Sequence, residues 1–366
     1  MPQLLALLMT TLIVPAAQEP ERFEIQKLAD GVYASIRREP VGLGVDANNV
    51  FIVDDDGIVV VDTNFGATST RQVIAALKKI SAKPVKYVVN THWHDDHVLG
   101  NQAYRDAYPG VQFVAHEATR EYLPGRGAAA RKAQVQNLPG FAGALRDAIA
   151  QKKNLAGASI TDDEQAGYSS DLRMIESYLG DAPTFDVILP AIIVKDPLTL
   201  KLGGRTIEIM QIGRGHTAGD IVVHLPAEGI VVTGDLVVFP VPLVGGDQSH
   251  VTEWTATLRK LVDLKPKIIV PGHGPVMRDT AYVEQMAELF AAVTERVKAA
   301  IGKGETIQEA RKSVNLDDFR DKFAGDSQLK RFLFGNYVTG PAVTSAYRAL
   351  KQQPVASRGP RPATLR

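Results

Sequence analysis

Cysteine is absent from the 366-residue chain. That excludes a disulfide framework, a thiolate metal site and a cysteine nucleophile, and by itself says nothing about compartment. An excess of either charge is missing as well, with 41 Lys and Arg against 41 Asp and Glu. No long basic run occurs, so nothing favours a nucleic-acid or anionic-membrane partner, although zero net charge is compatible with a local basic patch. Membrane-length hydrophobic runs are lacking too. The apolar stretch Leu4 to Val14 is too short to span a bilayer as a helix. It is followed by Pro15-Ala16-Ala17 and the polar run Gln18 to Arg22, the layout of a signal peptide over residues 1–17, cleaved near Ala16 or Ala17. The leading Met1-Pro2-Gln3 carries no Lys or Arg, and an uncleaved apolar N-terminal helix is the competing reading. The expected location is periplasmic or secreted, with no membrane span after signal cleavage.

What remains is ordinary globular material, 45% apolar and 22% charged. The length exceeds a typical single domain, but large α/β folds reach it with insertions. The most informative stretch is Thr91-His92-Trp93-His94-Asp95-Asp96-His97, which follows the β-branched run Val85 to Asn90 and so leaves the end of an expected strand as a loop. His and Asp at this density are poor core material, since each buried polar group needs its own partner. They are good ligands for a divalent metal such as zinc, bound at about 2.0–2.2 Å. One metal rarely takes four donors from one loop while leaving room for a substrate, so the pattern suggests two metals. A polar surface loop is the bland alternative.

Before this stretch, residues 23–63 read as antiparallel strands, with a turn at Asp54-Asp55-Asp56-Gly57. Gly42-Leu43-Gly44 reads as a loop able to approach the site, and Thr70 to Ile80 as a helix leading to a parallel strand. After it come a helix over Leu99 to Ala107 and a strand over Val111 to Ala115. Residues 117–180 carry helical patterns only, an insertion placed beside or over the site, or else a surface excursion. Strands resume at 187–212 with a hairpin at Gly203-Gly204. Gly229 to Asp235 then echoes Gly57 to Asp62, which hints at an internally duplicated α/β sandwich. Thr252 to Leu264 reads as a helix and Lys267 to Val270 as the last strand. Asp279 is a plausible N-cap for a helix to Ile301, and Thr306 with Glu309 forms a capping box. Helices continue through a C-terminal extension, residues 281–351, and the Pro- and Arg-rich tail, 352–366, reads as disordered.

Two more of the eight histidines lie among glycines after strands, in Gly213-Arg214-Gly215-His216-Thr217-Ala218-Gly219-Asp220 and Pro271-Gly272-His273-Gly274. Such neighbours let the backbone bend so that the imidazole points back across strand ends. His116, His224 and His250 lack that setting and read as ordinary. Trp93 and Phe239-Pro240-Val241-Pro242 are equally suited to walling the site or to packing its loops.

Taken together, His92-x-His94-x-Asp96-His97, His216-Thr-x-Gly, Thr233-Gly234-Asp235 and Pro271-Gly272-His273-Gly274 resemble the metallo-β-lactamase superfamily of binuclear hydrolases, over about residues 23–280. The resemblance implies a four-layer αββα sandwich, here a domain over 18–280 with a helical insertion and a helical C-terminal extension. It implies one metal on His92, His94 and His216 and a second on Asp96, His97 and His273, with Asp235 bridging them. Asp62 matches the buried aspartate that supports the metal loop; a turn or N-cap aspartate is the other reading. Aspartate at 235, where typical metallo-β-lactamases carry Cys or Ser, resembles the branch of glyoxalase II-like thioesterases, lactonases and phosphodiesterases, and the overall layout resembles exported members. The expected activity is a hydrolase with two Zn2+ per chain, iron or manganese being other occupants. A metal-bridging hydroxide would open a small acyl substrate (lactone, thioester, ester or β-lactam), with Asp96 also accepting a hydrogen bond from the nucleophile. A phosphodiesterase or nuclease and a di-iron redox enzyme are the alternatives. The expected partner is a small molecule, with oligomeric state open.

Overall fold

A computed structural model describes residues 22–352, the Asp247 side chain excepted. The expected signal peptide and the tail beyond Gln352 lie outside the described residues. Four strands open the chain as an antiparallel meander: β1 (Phe23–Ala29), β2 (Val32–Arg37), β3 (Asn49–Asp54) and β4 (Gly57–Val61). The turn between β3 and β4 falls on Asp55-Asp56, with Asp54 paired to Gly57. Helix α1 (Ala67–Ile80) then crosses over to β5 (Val85–Val89), which pairs parallel to β4. Two short helices, α2 (Asp95–Val98) and α3 (Asn101–Ala107), lead to β6 (Gln112–His116).

Residues 117–181 follow as α4 (Glu117–Tyr122), a wide turn, α5 (Ala128–Gln151) and α6 (Asp162–Asp181). Thr161 and Glu164 cap α6 reciprocally. β7 (Ile192–Val194) adds in parallel to β6 and completes a seven-stranded sheet in the order β1 to β7. The chain then passes to a second sheet, ordered β12-β11-β10-β9-β8. β8 (Leu198–Leu202) and β9 (Arg205–Met210) form the hairpin, β10 (Val222–Leu225) and β11 (Ile230–Val238) follow antiparallel, and α7 (Val251–Asp263) crosses over to β12 (Ile268–His273), parallel to β11. Each sheet therefore contains a strand–helix–strand crossover that follows an antiparallel stretch, β4-α1-β5 in the first and β11-α7-β12 in the second, and the first sheet continues in parallel through β6 and β7. The chain ends in α8 (Ala281–Gly302), α9 (Ile307–Ser313), α10 (Asp317–Ala324), α11 (Gln328–Phe334) and α12 (Gly340–Gln352).

Alternation along the strands sorts side chains into layers. Val59 and Val61 of β4 face the second sheet and meet Ile207, Ile209, Val232 and Val270, whereas Ile58 and Val60 face α1 and α3. On the far side of the second sheet, Val231 and Ile269 pack against α7, α8 and the later helices. The order helix, sheet, sheet, helix is the four-layer αββα sandwich that the sequence leads one to expect. In the outermost layer Trp254 of α7 stacks on Phe290 of α8, ring centroids 4.4 Å apart.

Two local expectations need correction. The metal-rich stretch is not loop throughout: Asp95 and Asp96 start α2, because acidic side chains in a first turn favour a helix. The N-cap of α8 is Thr280, not Asp279, whose carboxylate instead takes the Ala281 N–H at 3.0 Å.

Phe290 is fully buried between α7 and its own helix. Phe290→Ala is expected to cost about 3–5 kcal/mol of stability, read as a lower urea midpoint. A midpoint unchanged within error would show that this layer does not carry the fold.

Candidate metal centre

The carboxyl ends of β4, β5, β11 and β12 and the loop before β10 converge at one edge of the sandwich. In open α/β sheets this is where ligands sit, because the strand ends leave loops free to point inward. The structure brings all seven sequence-derived candidates there. His92, His94, His216 and Asp235 form one group able to hold a metal ion, and Asp96, His97 and His273 a second.

Within the first group, His94 Nδ1 lies 3.0 Å from His92 Nε2 and 2.8 Å from His216 Nε2. Asp235 Oδ2 is 3.4 Å from His216 Nε2 and 3.9 Å from His92 Nε2. Its other oxygen, Oδ1, faces the second group, 3.2 Å from both His97 Nε2 and His273 Nε2. Asp96 Oδ2 is 3.3 Å from His97 Nε2 and 3.2 Å from His273 Nε2. Ligands at about 2.0–2.1 Å from a tetrahedral ion lie about 3.3 Å from one another, so these separations fit the edges of coordination shells. Asp96 Oδ2 and Asp235 Oδ1 are also buried without a well-directed hydrogen bond, the condition a bound cation relieves.

The second nitrogen of each ring is committed elsewhere. His97 Nδ1 donates to Asp62 Oδ2 at 2.8 Å, His216 Nδ1 to the Leu243 carbonyl at 2.8 Å and His273 Nδ1 to the Asp46 carbonyl at 3.1 Å. His94 Nε2 donates to Gln248 Oε1 at 3.2 Å. Thr91 Oγ1 gives its proton to Asp62 at 2.7 Å, so it can only accept from His92 Nδ1 at 3.2 Å. Each ring is thus anchored through its outer nitrogen, which leaves the inner nitrogen as the one a metal ion would take in place of a proton.

Electrostatics agree with this fit. Burial lowers His92 and His94 and brings His216 down to about 4, so these rings are neutral. Burial opposes protonation of His97 and His273 too, but Asp96, Asp62 and Asp235 outweigh it at His97, and Asp235 with Asp96 holds His273 at about 9. The same imidazoles keep Asp96 and Asp235 well below the usual carboxylate range against their burial. Two buried carboxylates demand positive charge here, and protons supply it when no cation does.

Backbone detail explains why the sequence folds this way. Asp62 accepts the Thr91 N–H at 2.7 Å as well, and sits at φ +57, a left-handed conformation that Asp tolerates better than most residues. Its role is to hold the start of the metal loop and to orient His97; it does not cap a helix. Gly234 has φ +51, and a Cβ there would lie 2.3 Å from Thr91 Oγ1. At Gly272 a Cβ would lie 2.0 Å from Asp235 Oδ1, so only glycine leaves that oxygen its room.

His116, His224 and His250 stay outside the cluster. His116 caps α4 through Ala118, His224 pairs with Glu208, and His250 precedes α7. Trp93 is buried beside Val98 and Leu123 yet also walls a cavity at the site, so both of its readings apply. Sequence reasoning missed Gln248, which no motif marks. It also missed Asp46 and Leu243, which act through main-chain carbonyls and leave no side-chain signal. No helix among the described residues is long and apolar enough to cross a membrane.

A family model described as the metallo-beta-lactamase superfamily matches residues 43–273. The linear primary-alkylsulfatase of Pseudomonas sp. (strain ATCC 19151) is 26% identical over 282 residues, covering 71% of this chain and 48% of the alkylsulfatase. This chain therefore spans about half the length of that relative. A type 2 metallo-beta-lactamase of Elizabethkingia meningoseptica is 22% identical over 294 residues, covering 77% of this chain and 91% of its own. Among solved structures, a metallo-beta-lactamase from Pontibacter korlensis superposes with a TM-score of 0.51 at 22% identity, covering 74% of this chain and 99% of that one. That likeness is one of fold.

Removing an outward partner loosens a ring without touching the inward nitrogens. Gln248→Ala and Asp62→Asn are each expected to weaken metal binding about 10- to 100-fold, read by competition with a chromophoric chelator, with far-UV circular dichroism unchanged. Wild-type affinity in both variants would show that these contacts do not set the rings.

Proposed function

The chain belongs to the metallo-β-lactamase superfamily of metal-dependent hydrolases, and from that premise we propose that it is a two-zinc hydrolase of small acyl compounds. The observation that carries the reading is the division of each imidazole into an anchored outer nitrogen and an inward one, around two carboxylates that each keep one buried oxygen without a well-directed hydrogen bond. In this reading His92, His94 and His216 would hold one ion and Asp96, His97 and His273 the other, with Asp235 placed between the two groups. The all-nitrogen and oxygen donor set suits zinc.

Bound there, the metal pair supplies Lewis acidity and a water acidified to near neutrality. The remaining work belongs to the chain. Asp96, which with His94 lines the cavity, would accept a hydrogen bond from the attacking water and so orient it toward the acyl carbon. Asp62, Gln248 and the carbonyls of Leu243 and Asp46 keep the imidazoles from rotating as charge develops. Helices α5 and α6 lie over the site and limit the entry of bulk water. Water adds across the acyl–heteroatom bond, giving a carboxylic acid and the protonated leaving group. Export to the periplasm or medium completes the proposal, and it rests on the N-terminal sequence alone.

Protein purified without added metal is expected to carry zinc, and His94→Ala and Asp235→Ala are expected to lose both metal and turnover. Elemental analysis beside a panel of lactones, thioesters, nitrocefin and bis-p-nitrophenyl phosphate tests this. Full stoichiometry and activity in either variant, or turnover of the phosphodiester alone, would overturn the proposal.

A further inference from the structure

A cavity of about 400 Å³ opens directly on His94 and Asp96, within the size range of small-molecule sites. Its walls are carbon-rich: Phe65 and Trp93 on the metal side, Leu138 and Phe141 from α5, Met174 and Tyr178 from α6. Among the described residues, no Lys or Arg lines it. Three acids do, and each is already engaged. Asp96 belongs to the metal cluster. Asp95 accepts from Arg131 Nη2 at 2.7 Å and from the Tyr178 hydroxyl at 3.1 Å. Asp171 accepts the N–H groups of Leu43 and Gly44 at 2.7 and 2.9 Å.

The segment 43–46 separates this space from a second cavity of about 340 Å³, which reaches His273 from the other side. Among the described residues, the one cation lining that cavity is Arg37. Its guanidinium is committed to Glu39 at 2.9 Å, to Ser170 at 2.7 Å and to the Gly44 carbonyl at 3.2 Å. Neither approach to the metal ligands offers an uncommitted cation in its lining.

We propose that the larger cavity is an apolar arm-binding subsite that selects neutral acyl compounds, esters, thioesters or lactones with an uncharged hydrocarbon arm, and turns away substrates bearing a carboxylate or sulfate. An anion held against its apolar walls, away from the metal ligands, would lose water without gaining a partner, whereas each methylene buried there gains transfer free energy. The inference rests on the acyl-hydrolase reading above and narrows it: the β-lactam nucleus with its carboxylate and the alkyl sulfates both fall outside the favoured class. The reaction stays a hydrolysis, in which the acyl carbon exchanges its bond to oxygen or sulfur for one to water oxygen and the leaving atom takes up the proton.

Two measurements on the full chain test it, the second independent of turnover. With zinc-loaded protein, kcat/KM for p-nitrophenyl butyrate, hexanoate and octanoate is expected to rise about three- to fourfold per added methylene. The p-nitrophenyl monoester of suberic acid, with the octanoate chain length and a terminal carboxylate, is expected to fall at least about tenfold below octanoate. Gln134→Lys, which adds a cation on an exposed α5 position lining the cavity, is expected to narrow that gap. In the second measurement octanamide, but not the monoamide of suberic acid, is expected to change the fluorescence of metal-free protein saturably, a signal lost in Trp93→Phe.

Ester hydrolysis with no dependence on chain length or charge would overturn the subsite while leaving the acyl-hydrolase reading intact. Selective amide binding without cleavage of any ester would do the reverse. Equal binding of the two amides would refute the selectivity outright.

Discussion

An imidazole whose outer N–H is committed to a fixed acceptor has one lone pair left to offer, and five such rings in this protein point at the same small volume. Asp62, Thr91, Gln248 and the carbonyls of Leu243 and Asp46 hold the outer nitrogens at 2.8–3.2 Å. The inner nitrogens then surround Asp96 and Asp235 at separations that the ligands of a coordination shell can take. Much of the surrounding structure serves this arrangement. Asp62 takes a left-handed backbone to reach both Thr91 and His97, and Gly234 and Gly272 surrender their side chains so that Thr91 and Asp235 have room. Strain and glycine at such positions are tolerated where the neighbouring packing fixes the backbone.

That packing comes from the two sheets. Alternating apolar residues glue the sheets together and bury each outer face under helices, which makes the parallel strand ends of β4, β5, β11 and β12 a rigid platform. The two halves are also tied directly, by the Asn48 side chain donating to Pro271 and Gly274 at 3.0 and 2.8 Å and by Ile221 N–H donating to Thr91 at 2.9 Å. A ligand set drawn from both sheets is held to within tenths of an ångström only if the sheets cannot slide. The helices of 117–181 contribute a different property. They add none of the seven clustered residues; with Phe65 and Trp93 they supply the apolar walls of the cavity beside them.

Much of this was legible before any coordinates. The density of His and Asp in 91–97, the glycines around His216 and His273, and the strand-ending Asp235 all carry chemistry in the side chain itself, and these seven residues do meet. The echo of Gly57 to Asp62 in Gly229 to Asp235 hinted at a duplicated sandwich, and the resemblance to the superfamily implied its four layers. What stayed hidden has a common cause. Gln248 lies far from His94 in sequence and sits in no motif, while Asp46 and Leu243 act through carbonyls that every residue possesses. The start of α2 was missed because Asp95 and Asp96 look like loop residues until their place at a helix N-terminus is known. The apolar cavity was beyond reach for another reason: apart from Trp93, a candidate wall already, its apolar wall residues sit in no motif, and only the fold shows that Phe65, Leu138 and Met174 surround a space.

The central claim is that Asp235 joins two metal sites built from nitrogen and oxygen alone. X-ray absorption at the metal edge of the loaded protein tests it most directly. The account predicts a first shell of nitrogen and oxygen at about 2.0–2.2 Å and a metal scatterer at about 3.5–4 Å, the latter vanishing in Asp235→Ala. A loaded protein with a single ion and no metal scatterer, or one whose metal–metal signal survives that substitution, would contradict it.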